Sequence, residues 1–208
     1  MADDGDFKLE FNSPYVNVSD NSIKNISLKV DNKNPLFNTY MKVDTLTVSG
    51  YDITDFNLIN VTENDTLFVR TEFKGGKEGR DFFNLNLYHT IEEENRSVVG
   101  IQKSEVNFKD YLWYLNENDS DKNRIIFNKK LDDFDVEPIT LSHNGQEVTF
   151  EGKLKGKDYK DLKLQFKEVD LAKITPDLGQ VTFGGLINGM VSFEQVNNIF
   201  RPKSNVVV

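Results

Sequence analysis

The sequence predicts an all-β fold, an antiparallel sheet with one apolar face and one polar face. Three observations carry this. First, apolar residues fall at alternate positions across residues 139–193. Val148, Phe150 and Leu154 alternate with Thr149, Glu151, Lys153 and Lys155, and Leu162, Leu164 and Phe166 alternate with Lys163, Gln165 and Lys167. Side chains on a strand repeat every two residues, so each segment turns its apolar set to one side and its charges to the other. Second, Asn144-Gly145 separates two such segments, and this dipeptide suits a two-residue hairpin turn. Third, no stretch sustains an apolar period of 3.6, so no long helix is expected.

Taken in order, the chain reads as about a dozen short strands. Phe7, Leu9 and Phe11 open it; Pro14 interrupts, and residues 15–19 form a short second strand that proline can start. Ile26, Leu28 and Val30 alternate before the turn cluster at 31–35. Met41 and Val43 share one parity and Leu46 and Val48 the other, so a β-bulge or a change of face is expected at Asp44-Thr45. Strands follow at 51–61 and 67–73, separated by Glu63-Asn64-Asp65, and Gly75-Gly76 with Gly79 forms an open turn. Phe83, Leu85, Leu87, His89 and Ile91 then line one face of a longer strand. Strands at 98–101 and 106–108 precede the aromatic run 111–115, the least strand-like segment. A polar loop at 116–123 leads to a strand at 125–127. Near the end, residues 170–175 read as one helical turn stopped by Pro176.

Composition bounds the function. The 208 residues suffice for one large all-β domain or two small ones. A net charge of −9 offers no basic surplus with which to displace counterions from phosphates, which argues against nucleic acid and against electrostatic docking on anionic membranes. Without cysteine there is no disulfide framework and no thiolate metal site. The start, MADDGDFKLEF, has neither the basic nor the apolar region of a signal peptide, and no apolar run reaches membrane-spanning length. The last residues, Asn205-Val206-Val207-Val208, stop inside a strand pattern, so a segment of a longer protein is expected.

Catalytic chemistry is poorly represented, and no enzyme, cofactor or metal site is expected. His89 continues an apolar face, which suits a packed histidine better than a base, and His143 has no signalled partner. Residues 119–123 resemble the first half of a calcium loop, but Arg124 stands where the turn needs glycine and Lys130 where a bidentate glutamate belongs. The glycines at 75–79 lack the lysine and following helix of a phosphate cradle. Six N-x-S/T sequons, Asn25 within a strand among them, are what an asparagine-rich chain contains by composition.

Two stretches carry a family resemblance. Residues 40–73 run as a strand ending in Ser49-Gly50, a short link and two returning strands. Residues 140–208 order a strand ending at Gly152, a strand running through Leu162 to Leu171, the Ile174-Thr175-Pro176 turn, and the glycine-punctuated strand from Phe183 to Val191. This order resembles the translocation and assembly module (TamB) family of the AsmA-like superfamily, in its Bacteroidota-like form. The resemblance implies one continuous β-rich segment over 1–208, curled into a taco-like trough with an apolar inner wall. It implies a periplasmic location, in a full-length protein anchored in the inner membrane. It also implies a bridge that shields lipid acyl chains between the two membranes, with support of outer-membrane protein assembly through a partner of the BamA/TamA kind. The rows Phe83, Leu85 and Leu87; Val148, Phe150 and Leu154; and Leu162, Leu164 and Phe166 would then line the groove. Two other readings fit the same alternation. One is a closed β-sandwich that binds carbohydrate or protein, with Tyr111, Trp113 and Tyr114 as an exposed platform; the other is a purely structural envelope segment.

Overall fold

The computed structural model of the chain describes residues 5–18, 21–48, 51–175 and 183–208. The fold is all-β, with antiparallel strand pairing and, among the described residues, one short α-helix and two 3-10 turns. The chain divides into two compact units, Met1–Leu87 and Tyr88–Val208.

The first unit is a meander of β1 (Lys8–Val18), β2 (Asn21–Asp31), β3 (Thr39–Val48), β4 (Tyr51–Glu63) and β5 (Thr66–Gly75), each paired with the next. Strand β6 (Asp81–Ile91) begins in this unit and ends in the second. Register brings Phe11, Leu28, Met41 and Leu58 into one row and Ile26, Val43 and Phe56 into the next. The rings of Phe56 and Phe73 lie 6.1 Å apart, and Phe73 stacks on Phe83 at 4.6 Å.

Pro14 does not divide the first strand in two, contrary to expectation. It lies inside β1, which among the described residues pairs only with β2, and the register steps over it from Ser13↔Ile26 to Tyr15↔Lys24. An outermost strand loses nothing when the missing N–H belongs to an unpaired position. The parity slip at Asp44 coincides with an irregular line across the sheet. Val43 pairs with Ile26 and Phe56, and Thr45 with Lys24 and Thr54, so Asp44 is passed over. Asn25 and Asp55 on the flanking strands take left-handed φ of 52° and 53°. Asn25 Nδ2 donates to Asp44 Oδ2 at 2.9 Å, and β4 slips by one residue against β5 between Thr54 and Asn57.

The second unit contains β7 (Ser97–Ile101), β8 (Ser104–Phe108), β9 (Tyr111–Leu115), β10 (Arg124–Phe127), β11 (Asp133–His143), β12 (Gln146–Lys155), β13 (Tyr159–Asp170), α1 (Leu171–Ile174), β14 (Leu186–Val196) and β15 (Ile199–Val207). The strand order is β7-β10-β11-β12-β13-β14-β15, with the β8–β9 hairpin joined through β9 to β11. The aromatic run is thus a full strand rather than the least regular segment, because Leu115 and Tyr114 pair with Leu141 and Ser142 of β11. Asn144-Gly145 makes the expected hairpin with positive φ at both residues, and Lys109-Asp110 and Asn197-Asn198 do the same. Pro138 sits where the β11–β12 register shifts, a position that needs no ladder donor. Asp170 caps α1, its Oδ1 accepting the Ala172 N–H at 3.0 Å, while Pro176 lies outside the described residues.

Candidate apolar binding face

The pairing of β11 to β15 sorts their side chains into two contrasting faces. On one, Ile139, Phe150, Leu164 and Val191 stand in a row across four strands. Leu141, Val148, Phe166, Gly189 and Val206 form the row on one side of it, and Val136, Gly152, Leu162 and Phe193 the row on the other. The opposite face carries Asp135 beside Lys153, Glu151 beside Lys163, Glu147 beside Lys167 and Glu194 beside Arg201. These are direct register partners at 3.1, 3.3, 2.9 and 3.8 Å. Opposite charges placed directly across a ladder support the register, and in water they do so weakly. Hydrogen bonds to Asp135 and Glu147 hold the Lys153 and Lys167 ammonium groups above their ordinary pKa.

Six of the nine predicted lining residues therefore meet on one surface: Val148, Phe150, Leu154, Leu162, Leu164 and Phe166. None of them is buried. Phe150, at the centre, is 37% exposed, and the other five are partly exposed. A filled sandwich core would exclude water from Phe150 and Leu164, whereas Val136 and Val169, on the same side, are buried. The other three, Phe83, Leu85 and Leu87, stand on β6 in the first unit.

Beside the end of β11 stand residues that the sequence suggests for other roles. Trp113 is 1% exposed, with its ring 5.1 Å from that of His143. It is not part of an exposed platform, although Tyr111 and Tyr114 remain accessible. Both nitrogens of His143 are engaged, Nδ1 with the Leu112 carbonyl at 2.7 Å and Nε2 with Lys173 Nζ of α1 at 3.3 Å. Lys173 also lies over the Tyr111 ring, and Lys109 Nζ donates to the carbonyls of Ala172 and Thr175. The aromatic run and the helical turn are thus tied to one another and to the end of β11, a link that no local motif announces.

The supposed calcium loop is held by asparagine side chains. Asn116 Nδ2 donates to the carbonyls of Ile101 and Ser120, and its Oδ1 accepts the Ser120 N–H. Asn123 Oδ1 accepts the Thr140 N–H at 2.9 Å. Among the described residues no cluster of three His, Cys, Asp or Glu side chains is placed to hold a metal. Asn123→Ala removes a buried acceptor from a backbone donor and is expected to cost about 1–3 kcal/mol, read from denaturant midpoints.

Glu137 holds Arg124 through two hydrogen bonds, Nε to Oε2 at 2.9 Å and Nη2 to Oε1 at 2.7 Å, and Arg124 Nη1 reaches Glu92 at 3.0 Å. These bonds keep the guanidinium charged at every accessible pH, and Tyr88 lies beside it over Gly100. Burial raises the Tyr88 phenol above its ordinary value, with Arg124 opposing. The unfolded chain then ionises first as pH climbs past about 10, and stability falls from there to the higher folded-state value. Tyr88→Phe is expected to flatten that alkaline slope in urea titrations and to leave the slope at pH 7 unchanged.

Set against known proteins, the sequence matches no protein-family model, no curated protein and no solved structure. Among the described residues no helix is long and apolar enough to cross a membrane.

Proposed function

We propose that this chain is a non-catalytic surface for lipid acyl chains, a TamB-like segment of a periplasmic bridge whose sheet curls into a trough. In this reading it shields tails passing between the inner and outer membranes and supports outer-membrane protein assembly with a BamA/TamA-type partner. The supporting observation is the row pattern of Val148, Phe150, Leu154, Leu162, Leu164 and Phe166, ordered on one face by register yet each partly open to water. Apolar surface removed from water returns about 25 cal/mol per Å², roughly 0.8 kcal/mol for each methylene covered, with no directional contact required. Repeated, non-directional sites suit a chain that must slide rather than lodge. The charged opposite face keeps such a surface in solution.

A carbohydrate platform draws no support from Trp113, whose indole is enclosed. The test is native mass spectrometry of delipidated protein mixed with phosphatidylethanolamine and phosphatidylglycerol. Retention of phospholipid is expected, and a protein that takes up none would leave the face as an ordinary sheet surface.

A further inference from the structure

We infer that the outer edge of β1 pairs with the same edge of a second copy of this chain, antiparallel and centred on Leu9, to form a symmetric dimer. The inference stands apart from the acyl-chain reading above and does not need it. Among the described residues β1 pairs only with β2, and an outermost strand offers its outward N–H and C=O groups as a template for a further strand. Which groups face outward follows from the last rung. The Phe7 carbonyl accepts the Asn32 N–H at 3.2 Å, and the Phe7 N–H donates to Asn32 Oδ1 at 2.8 Å. Phe7, Leu9 and Phe11 therefore turn their backbone groups toward β2, while Lys8, Glu10 and Asn12 turn theirs away from it. Residues 5–12 are all exposed.

The occupant follows from charge. Phe7-Lys8-Leu9-Glu10-Phe11 is symmetric about its centre, with phenylalanine at both ends and opposite charges on either side of Leu9. A twofold axis through Leu9 sets Lys8 against Glu10 of the second copy at both hydrogen-bonded rungs, and Phe7 against its Phe11 on the apolar side. Opposite charges directly across an antiparallel ladder are favourable and like charges are not. Moving the axis one residue either way sets Lys8 or Glu10 against itself, so charge selects this register. Within one chain Lys8 Nζ and Glu10 Oε1 lie 3.7 Å apart with both side chains more than half exposed, a loose pair that leaves both free to face a second strand. Phe7 and Phe11, 54% and 44% exposed in the single chain, gain an aromatic neighbour each. The row of Phe11, Leu28, Met41 and Leu58 then continues into the second copy. Pro14 is next in the outward alternation and has no N–H, so the strip of donors ends at Asn12. The other outermost strand, β15, lacks this symmetry: self-pairing about Pro202 would oppose Arg201 and Lys203, both basic. A twofold contact through β1 alone closes on itself.

Sedimentation equilibrium of the full chain tests this. One strand edge is a small interface, of the weak class below about 1,200 Å², so a monomer–dimer equilibrium is expected in the micromolar range and above. Lys8→Glu and Glu10→Lys each oppose like charges at both rungs, and each should raise the dissociation constant about tenfold. Mixed in equal amounts, the two variants should associate with one another as readily as the parent does with itself, because every rung again joins acid to base. The double variant Lys8→Glu/Glu10→Lys should recover the parent's constant for the same reason. Glu10→Pro removes an outward N–H that β2 does not use, so it should leave the circular dichroism spectrum unchanged and the chain monomeric. Arg201→Glu on β15 should alter nothing. A parent that stays monomeric at every concentration, or a pair of charge variants that do not associate when mixed, would overturn the inference. A dimer that persists in Glu10→Pro would overturn it by placing the contact on another surface. Lipid uptake by the same samples is read separately, and its loss would leave the dimer standing.

Discussion

Replacing Leu164 with glutamate is expected to abolish phospholipid uptake in a protein that remains folded. Leu164 lies between Phe150 and Val191 in the central row of the apolar face. Because the position is already partly open to water, the new carboxylate stays hydrated in the free protein. The fold then loses only the modest stability of a half-covered leucine, about 1 kcal/mol. A tail laid on the face would have to strip water from that charge, a cost of several kcal/mol that the methylenes it covers cannot return. Uptake should fall by about a hundredfold or more. Phe166→Glu, in the adjoining row, should behave alike. Gln165→Glu provides the control, since residue 165 pairs with Thr149 and Met190 on the polar face. Native mass spectrometry with circular dichroism reads all three, and lipid retained by folded Leu164→Glu would remove this row from the lining.

Gly189→Val should be the most destabilising single change in the second unit. Gly189 has φ of +124°, a conformation that L side chains rarely adopt. A Cβ there would stand 2.0 Å from the carbonyl oxygen of Asn205, its pairing neighbourhood on β15, so the obstacle is backbone and not a movable side-chain tip. Strain and clash together cost about 3 kcal/mol or more. For a domain of this size that is about 10 °C in melting temperature. Gly145, also at positive φ but with open space around it, should tolerate asparagine with little change. A Gly189→Val melt that overlays the parent would mean that β14 and β15 do not pair in this register.

How much was legible beforehand can be judged from individual residues. The face of Val148, Phe150, Leu162, Leu164 and Phe166 was readable because side-chain direction on a strand follows from a two-residue repeat that any local window displays. The Asn144-Gly145 hairpin was readable because few dipeptides accept positive φ at both positions. Pro14 misled because proline's cost depends on whether a second strand needs its N–H, and that is a fact about neighbours. The strand at Tyr111–Leu115 was hard to read because Lys109-Asp110 turns the chain from β8 without a glycine or asparagine to mark it, and the second partner, β11, lies some thirty residues away. Strand β15 was only half seen, since Asn197-Asn198 turns the chain without a glycine or proline to mark it. The division at Leu87/Tyr88 falls inside the alternating run of β6, where no change of composition accompanies it.

The sequence by itself determined that the chain is built of strands, where most of them turn, and which side chains share a face, because these depend on bonds and contacts within a few residues. Only the tertiary structure decided that Gln195 of β14 stands beside Lys160, that α1 is tied to Lys109 and His143, and that Val148, Phe150, Leu162, Leu164 and Phe166 stay partly open to water. Those outcomes depend on which strands become neighbours and how much water their pairing leaves in place, and no local repeat encodes either.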